Sequence, residues 1–185
     1  MIDKGVFAKY IFHTCGSCAR EIYGTAPPNA SYADAVHWML FGTIAHESDG
    51  LTATRQHKFS WPNDRGAWGL AQCELGSVTE SLKYLAKRPD VAKRAAVWLN
   101  NDADADLNTL LYKVTPSDVL RLLPMSDRLS VLFCRLHYLR VPAAIPRARI
   151  DQDAYYKKYY NTIHGAAKPG DFIKALERAM MHVKA

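Results

Sequence analysis

The sequence holds no apolar run long enough to cross a bilayer; the longest, near residues 35–45, is short and contains His37. Nor does it open on a secretory leader. Met1-Ile2-Asp3-Lys4 is no basic leader region, and Lys9 and His13 interrupt the apolar stretch behind it. A product made in the cytoplasm without a signal peptide is therefore expected. Low-complexity tracts, internal repeats and a disordered tail are missing as well. His46-Glu47 begins like a zinc-protease motif, but position 50 is Gly, so the second histidine of that helix face is absent. Neither a Gly-x-Ser-x-Gly elbow nor a Walker loop is present. The four cysteines are Cys15, Cys18, Cys73 and Cys134. Cys15-Gly16-Ser17-Cys18, with His13 nearby, lacks the second pair that would complete a four-ligand zinc site. A redox dithiol would want a βαβ context, and this segment reads as helix. Reduced thiols are expected, with no metal and no cofactor.

What is present is ordinary for a globular chain. The 185 residues are 49% hydrophobic and 23% charged, enough for one domain with its own core. A formal charge of +6 favours a polyanionic partner: nucleic acid, lipid headgroups or bacterial cell wall. Lys and Arg are scattered, with one modest cluster at Arg147, Arg149, Lys157 and Lys158, so nucleic acid is not the expected partner.

Apolar spacings of three and four predict helices nearly throughout, hence an all-α fold with at most a very small β-hairpin. Val6, Tyr10, Phe12 and Ile22 lie in an N-terminal helical segment, 1–30, ended by Gly24 and Pro27-Pro28. Residues 31–185 form the core of the same single domain. Ser31 is expected to cap the second helix, with Asp34 behind it. That helix carries Val36, Met39, Leu40, Thr43 and Ile44 on one face, ends near Glu47, and stops at Gly50. Residues 51–68, rich in Thr, Pro62, Asn63 and Gly66, read as an irregular loop. Ser77-Val78-Thr79-Glu80 reads as a capping box, and Pro89-Asp90 and Thr115-Pro116-Ser117-Asp118 as helix starts. The stretch 126–140, with Leu129, Leu132, Phe133, Leu136 and Tyr138, is the most buried. Pro142 and Pro146 end it, and helices at about 151–162 and 171–184 follow.

The residues with the most chemistry to offer are Glu47 and the segment Gly66-Ala67-Trp68-Gly69-Leu70-Ala71-Gln72. A carboxyl group leaving an apolar helix is the kind whose pKa rises by desolvation, which suits proton donation near neutral pH. A Gly-aromatic-Gly segment lets backbone approach that acid closely. Together they point to a polysaccharide-cleaving site. In order and spacing, Glu47-Ser48 followed by Gly69-Leu70-Ala71-Gln72 resembles the lysozyme-like superfamily, specifically soluble lytic transglycosylases and goose-type lysozymes. Ala71 stands where that group has Met. A looser resemblance runs from about residue 30 to the end, and 135–142 and 155–162 look like a branch common in bacteriophages and prophages. Tyr138 falls where relatives place a Tyr-Asn pair, with Leu139 in place of the Asn.

The resemblance implies an enzyme acting on peptidoglycan glycan strands, at the β-1,4 bond between N-acetylmuramic acid and N-acetylglucosamine. Glu47 would be the catalytic acid and base of a lytic transglycosylase. Ser48, Gln72, Gly69 and Tyr138 would bind substrate or shape the site. Ser48 has local bonding at the helix C-terminus as its other role, Gln72 support of its own loop, and Tyr138 support of Glu47 or simple packing. A muramidase of the same fold would add Asp64 or Glu74 as a second catalytic carboxylate. Glu74 has an alternative role at the start of the next helix, where a carboxylate favours the dipole. The tyrosines 155, 156, 159 and 160 either stack on sugar rings or dock one helix face on the core. Two alternatives stay open: a non-catalytic glycan-binding or virion structural protein, and a nucleic-acid-binding helical protein. An enzyme without a leader would reach the wall through a lysis pore, as an endolysin, or beside other virion proteins in a particle.

Overall fold

Side chains that reach the first free amides set where the helices begin. The computed structural model describes residues 3–51, 66–100, 114–161 and 166–185. Helix α1 (Lys4–Glu21) starts at Asp3, whose carboxylate accepts from the amides of Gly5 at 2.8 Å and Val6 at 3.1 Å. Helix α2 (Ala30–Glu47) is capped by Asn29, which accepts from Tyr32 N at 2.9 Å. The expected cap Ser31 is thus already inside the helix. Asn29 directly follows the prolines that hold the chain extended, so it is the first side chain placed to cap.

Helix α3 (Leu75–Lys87) also begins earlier than its sequence pattern predicts. Glu74 occupies the cap position without a side-chain cap bond, and Ser77-Val78-Thr79-Glu80 lies within the helix. Helix α4 spans Pro89–Asn100. Helix α5 (Pro116–Leu122) has the capping box its sequence predicts, with Thr115 and Asp118 bonding each other's backbone amides. A 3₁₀ turn, Leu123–Met125, leads to α6 (Asp127–Leu139), where Ser126 accepts from Leu129 N. Helix α7 (Arg149–Tyr156) runs directly into a π turn, Lys157–Asn161, and α8 covers Asp171–Lys184. Among the described residues no strand forms, and one isolated bridge joins Trp68 to Cys73. The fold is all-α, as the spacings predict.

Helix α2 is the central element. It buries Ala33, Val36, Met39, Leu40, Phe41, Ile44 and Ala45 around its circumference and packs against α1, α6, α7 and α8. A helix apolar all round is stable only when surrounded. Each of its large side chains contributes about 1.5–3 kcal/mol by leaving water. Gly42 permits the closest approach, since a Cβ there would lie 2.4 Å from the Phe172 ring of α8. Every helix among the described residues contributes to one buried cluster. On α1 the buried stripe is Ala8, Ile11, Cys15, Cys18 and Ala19, whereas Val6 and Tyr10 face solvent. Arg135 of α6, almost wholly buried, ties onto the end of α1 by donating Nε to Ile22 O at 2.8 Å. All four cysteines are free and buried. Among the described residues no helix is long and apolar enough to cross a membrane.

Candidate active site

Glu47 is the last residue of α2, and the backbone leaves the helix at once. Asp49, Gly50 and Leu51 all take left-handed φ, at 47°, 69° and 69°. Gly50 N donates back to Ala45 O at 2.9 Å, which closes the helix end. Consecutive left-handed residues, two of them not glycine, are a costly way to end a helix. They hold Glu47 at the C-terminal end of the dipole, which disfavours a negative charge.

The partners of the Glu47 carboxyl come from the far end of the chain. Tyr156, at the end of α7, donates its hydroxyl to Oε1. Asn161, at the end of the π turn, adds a side-chain hydrogen bond. The amide of Asn161 is turned for that purpose: Oδ1 accepts from Lys157 Nζ at 3.0 Å and from Ala167 N at 3.2 Å, so Nδ2 is the end that donates to Glu47. Burial pushes the Glu47 carboxyl up to about 7, the Tyr156 and Asn161 bonds oppose that rise, and the charge of Glu74 adds to it. Glu47 keeps partial exposure to solvent. Glu74 itself is exposed at the start of α3.

The glycine segment leads into Cys73 and Glu74, whose ionisation is coupled through charge to that of Glu47. Trp68 and Cys73 exchange backbone bonds at 3.0 and 2.9 Å, pinching 68–73 into a tight loop. Gly69 has φ 74°, and a Cβ on it would stand 2.4 Å from Ser130 Oγ, so only glycine fits against α6. Leu70 N donates to Ser130 Oγ, which in turn donates to Leu123 O at 2.9 Å. From the other side Tyr160 donates its hydroxyl to Ala71 O at 2.6 Å. The loop is therefore clamped between α6 and the π turn.

The expected substrate contacts divide accordingly. Ser48 is completely buried; it donates to Ile44 O at 2.6 Å and accepts from Leu51 N at 2.9 Å. These are the bonds of the helix-terminal role that the sequence also offers for Ser48. Gln72 donates Nε2 to Gly69 O at 2.8 Å and so supports its own loop. Gly69 is buried backbone shape. Tyr138 is buried too, with its hydroxyl 2.7 Å from Thr43 Oγ1, a bond within the core. Asp64 lies outside the described residues.

No family model, curated protein or solved structure matches this chain. The residues around Glu47 that sequence reasoning missed are Tyr156 as its hydrogen-bond donor, Asn161 and His46. Tyr156 stood among four tyrosines of equal promise, and only the fold selects it. Of the rest, Tyr155 donates to Ala143 O at 2.7 Å and Tyr160 clamps the glycine loop. The π turn re-aims the chain after Tyr156, and His137 of α6 pins it through Nε2 to Tyr159 O at 2.6 Å. Burial pulls His137 down to about 4, so this pin is neutral and holds one hydrogen-bond pattern across the physiological range.

Burial raises the Cys15 thiol and pushes Cys18 up to about 12, so both rest as thiols.

Proposed function

We propose that this protein is a lysozyme-like peptidoglycan-cleaving enzyme in which Glu47 serves as both acid and base. The observation that carries the reading is a carboxyl group at a helix end, partly open to solvent, whose pKa burial lifts to about 7. Such a group holds a proton near neutral pH and gives up that proton to a developing alkoxide. In the preferred course Glu47 protonates the glycosidic oxygen between N-acetylmuramic acid and N-acetylglucosamine. The resulting carboxylate takes the proton of the muramyl 6-hydroxyl as that oxygen attacks the anomeric carbon, leaving a 1,6-anhydro end. Tyr156 and Asn161 suit both halves, since each donates to the carboxylate formed in between. Delivery to the wall through a lysis pore or in a virus particle belongs to the same reading.

A hydrolase of the same fold is the second reading. The exposed Glu74, which makes no cap bond and whose charge acts on Glu47, favours it. As a base working through water it would stand about 6.5–9.5 Å from the acid.

Mass spectrometry of muropeptides released from purified sacculi tests both. Anhydro ends, with Glu74→Gln only modestly slower, support the transglycosylase. Reducing ends, with Glu74→Gln slowed by roughly 10²–10⁴, support the hydrolase. Glu47→Gln is expected to abolish clearing while circular dichroism stays unchanged. A Glu47→Gln protein that retains its rate would remove Glu47 as the acid. Sacculus binding without cleavage by the wild type would instead mark a glycan-binding protein, and tight, salt-dependent DNA binding a nucleic-acid protein.

A further inference from the structure

The hydroxyl that donates to Glu47 has a second neighbour. Tyr156 O lies 2.8 Å from Nδ1 of His46, the residue directly before Glu47, and the two rings are 5.1 Å apart between centroids. Asn161 also hydrogen-bonds the Tyr156 oxygen. A tyrosine hydroxyl has one proton to give and two lone pairs. With that proton on Glu47 Oε1, the neighbour at 2.8 Å must itself be the donor, so His46 carries its hydrogen on Nδ1. The opposite tautomer would present a bare Nδ1 that competes with Glu47 for the same proton.

We infer that His46 is a positioning residue for Glu47, acting through Tyr156 to hold the tyrosine proton on Oε1 and so keep the acid's transferable proton on Oε2. The inference rests on the reading of Glu47 as the acid. It follows from counting protons: an Oε1 that already accepts from Tyr156 is the carbonyl-like oxygen of the protonated acid. The proton then belongs to the other oxygen, away from the tyrosine.

A neutral His46 meets this only as the Nδ1–H tautomer, and its surroundings favour the neutral form. Burial lowers it from its ordinary value; Asp171 of α8 and Asp153 of α7 oppose the fall, and Arg178 of α8 adds to it. The ring also lines a cavity of about 720 Å³ with Asp49, Lys174 and Glu177, so acidic and basic groups of both signs face it. Nδ1 is the ring nitrogen turned to Tyr156.

Nitrogen-15 NMR of the histidine side chains, with His46 assigned from a His46→Leu variant, reads the tautomer directly. At pH 8 the wild type is expected to carry hydrogen on Nδ1. In Tyr156→Phe, which removes the acceptor, the ring is expected to shift to the Nε2 form. Kinetics supply the second arm. His46→Leu is expected to slow sacculus clearing by about tenfold or more, a share of the roughly 10²–10⁴ of general acid catalysis. It should also move the alkaline limb of kcat/KM to higher pH, because weaker donation to the carboxylate raises Glu47. His46→Asn, whose amide NH₂ can stand near Nδ1, should return both. A wild-type His46 in the Nε2 form, or a limb that His46→Leu leaves in place, would overturn the positioning role. If the wild type cleaves no glycan, the enzymatic reading fails by itself. The Glu47 carboxyl titration by carbon-13 NMR then replaces the limb, and a shift in His46→Leu still decides for or against the coupling.

Discussion

A carboxyl group whose pKa is raised stores its function as a loss of stability. Glu47 holds its proton to about 7 in the folded chain against an ordinary value of 4.5. In the proposed reading Glu47 is the acid and must be protonated before the first step, so kcat/KM is expected to fall as pH rises through about 7. The same shift acts on folding with the opposite sign from a salt-bridged carboxylate. Between the unfolded and folded values the native state binds a proton that the unfolded chain has released, so stability declines as pH rises from 4.5 to about 7. The full gap corresponds to about 3 kcal/mol. Glu47→Gln removes the ionisation, so it is expected to raise stability at pH 8 by up to about 3 kcal/mol and to change little at pH 4. Urea unfolding of both proteins at the two pH values checks this; equal midpoints at pH 8 would show that the carboxylate is not held at a cost. Glu47 is legible in the sequence because its local context, an apolar helix stopped by Gly50, is itself the cause of the shift. Its donors are not, because the chain separates Tyr156 and Asn161 from it by most of the fold.

At the scale of elements, the helix starts that depend on local chemistry alone are the legible ones. Thr115 through Asp118 form their box as the pattern predicts, since both partners lie within one turn. Asn29 and Glu74 take the cap positions predicted for Ser31 and Ser77, because the approach of the incoming chain decides where each helix starts. The π turn carries no sequence mark at all; His137 holds it from α6, and Ala167 N bonds the side chain of its last residue, Asn161. The junction of α2 with α8 shows tertiary contact reversing local preference. In an isolated helix Gly→Ala gains roughly 0.5–1 kcal/mol. At Gly42 the added methyl would lie 2.4 Å from Phe172, so Gly42→Ala is expected to destabilise by about 1–3 kcal/mol instead. Pairing it with Phe172→Leu should recover part of the loss, measured as a coupling energy in a double-mutant cycle. Additive losses would mean that the two side chains do not meet.

Across the whole molecule, the cysteines report whether α1, the glycine loop and α6 open together. Cys15 and Cys18 lie on α1, Cys73 in the loop and Cys134 on α6, and all are buried in one cluster. A thiol-specific disulfide reagent attacks only an exposed thiolate. The native protein is therefore expected to show almost no fast reaction, and the denatured chain all four thiols. Labelling in native buffer then proceeds through opening of the core, at a rate set by the population of the open state when closing outruns reaction. Stability and labelling thus become one measurement. At pH 8 Glu47→Gln, more stable by up to about 3 kcal/mol, should label up to roughly a hundredfold more slowly than wild type. The difference should shrink as pH falls from about 7 and disappear below about 4.5, because the unfolded chain then also holds the Glu47 proton. The four thiols should also slow by the same factor, since the carboxyl lies on α2, the helix the others surround. Should Cys15 and Cys18 react ahead of Cys134 and ignore the substitution, α1 would be opening by itself, and the core would not be a single cooperative unit.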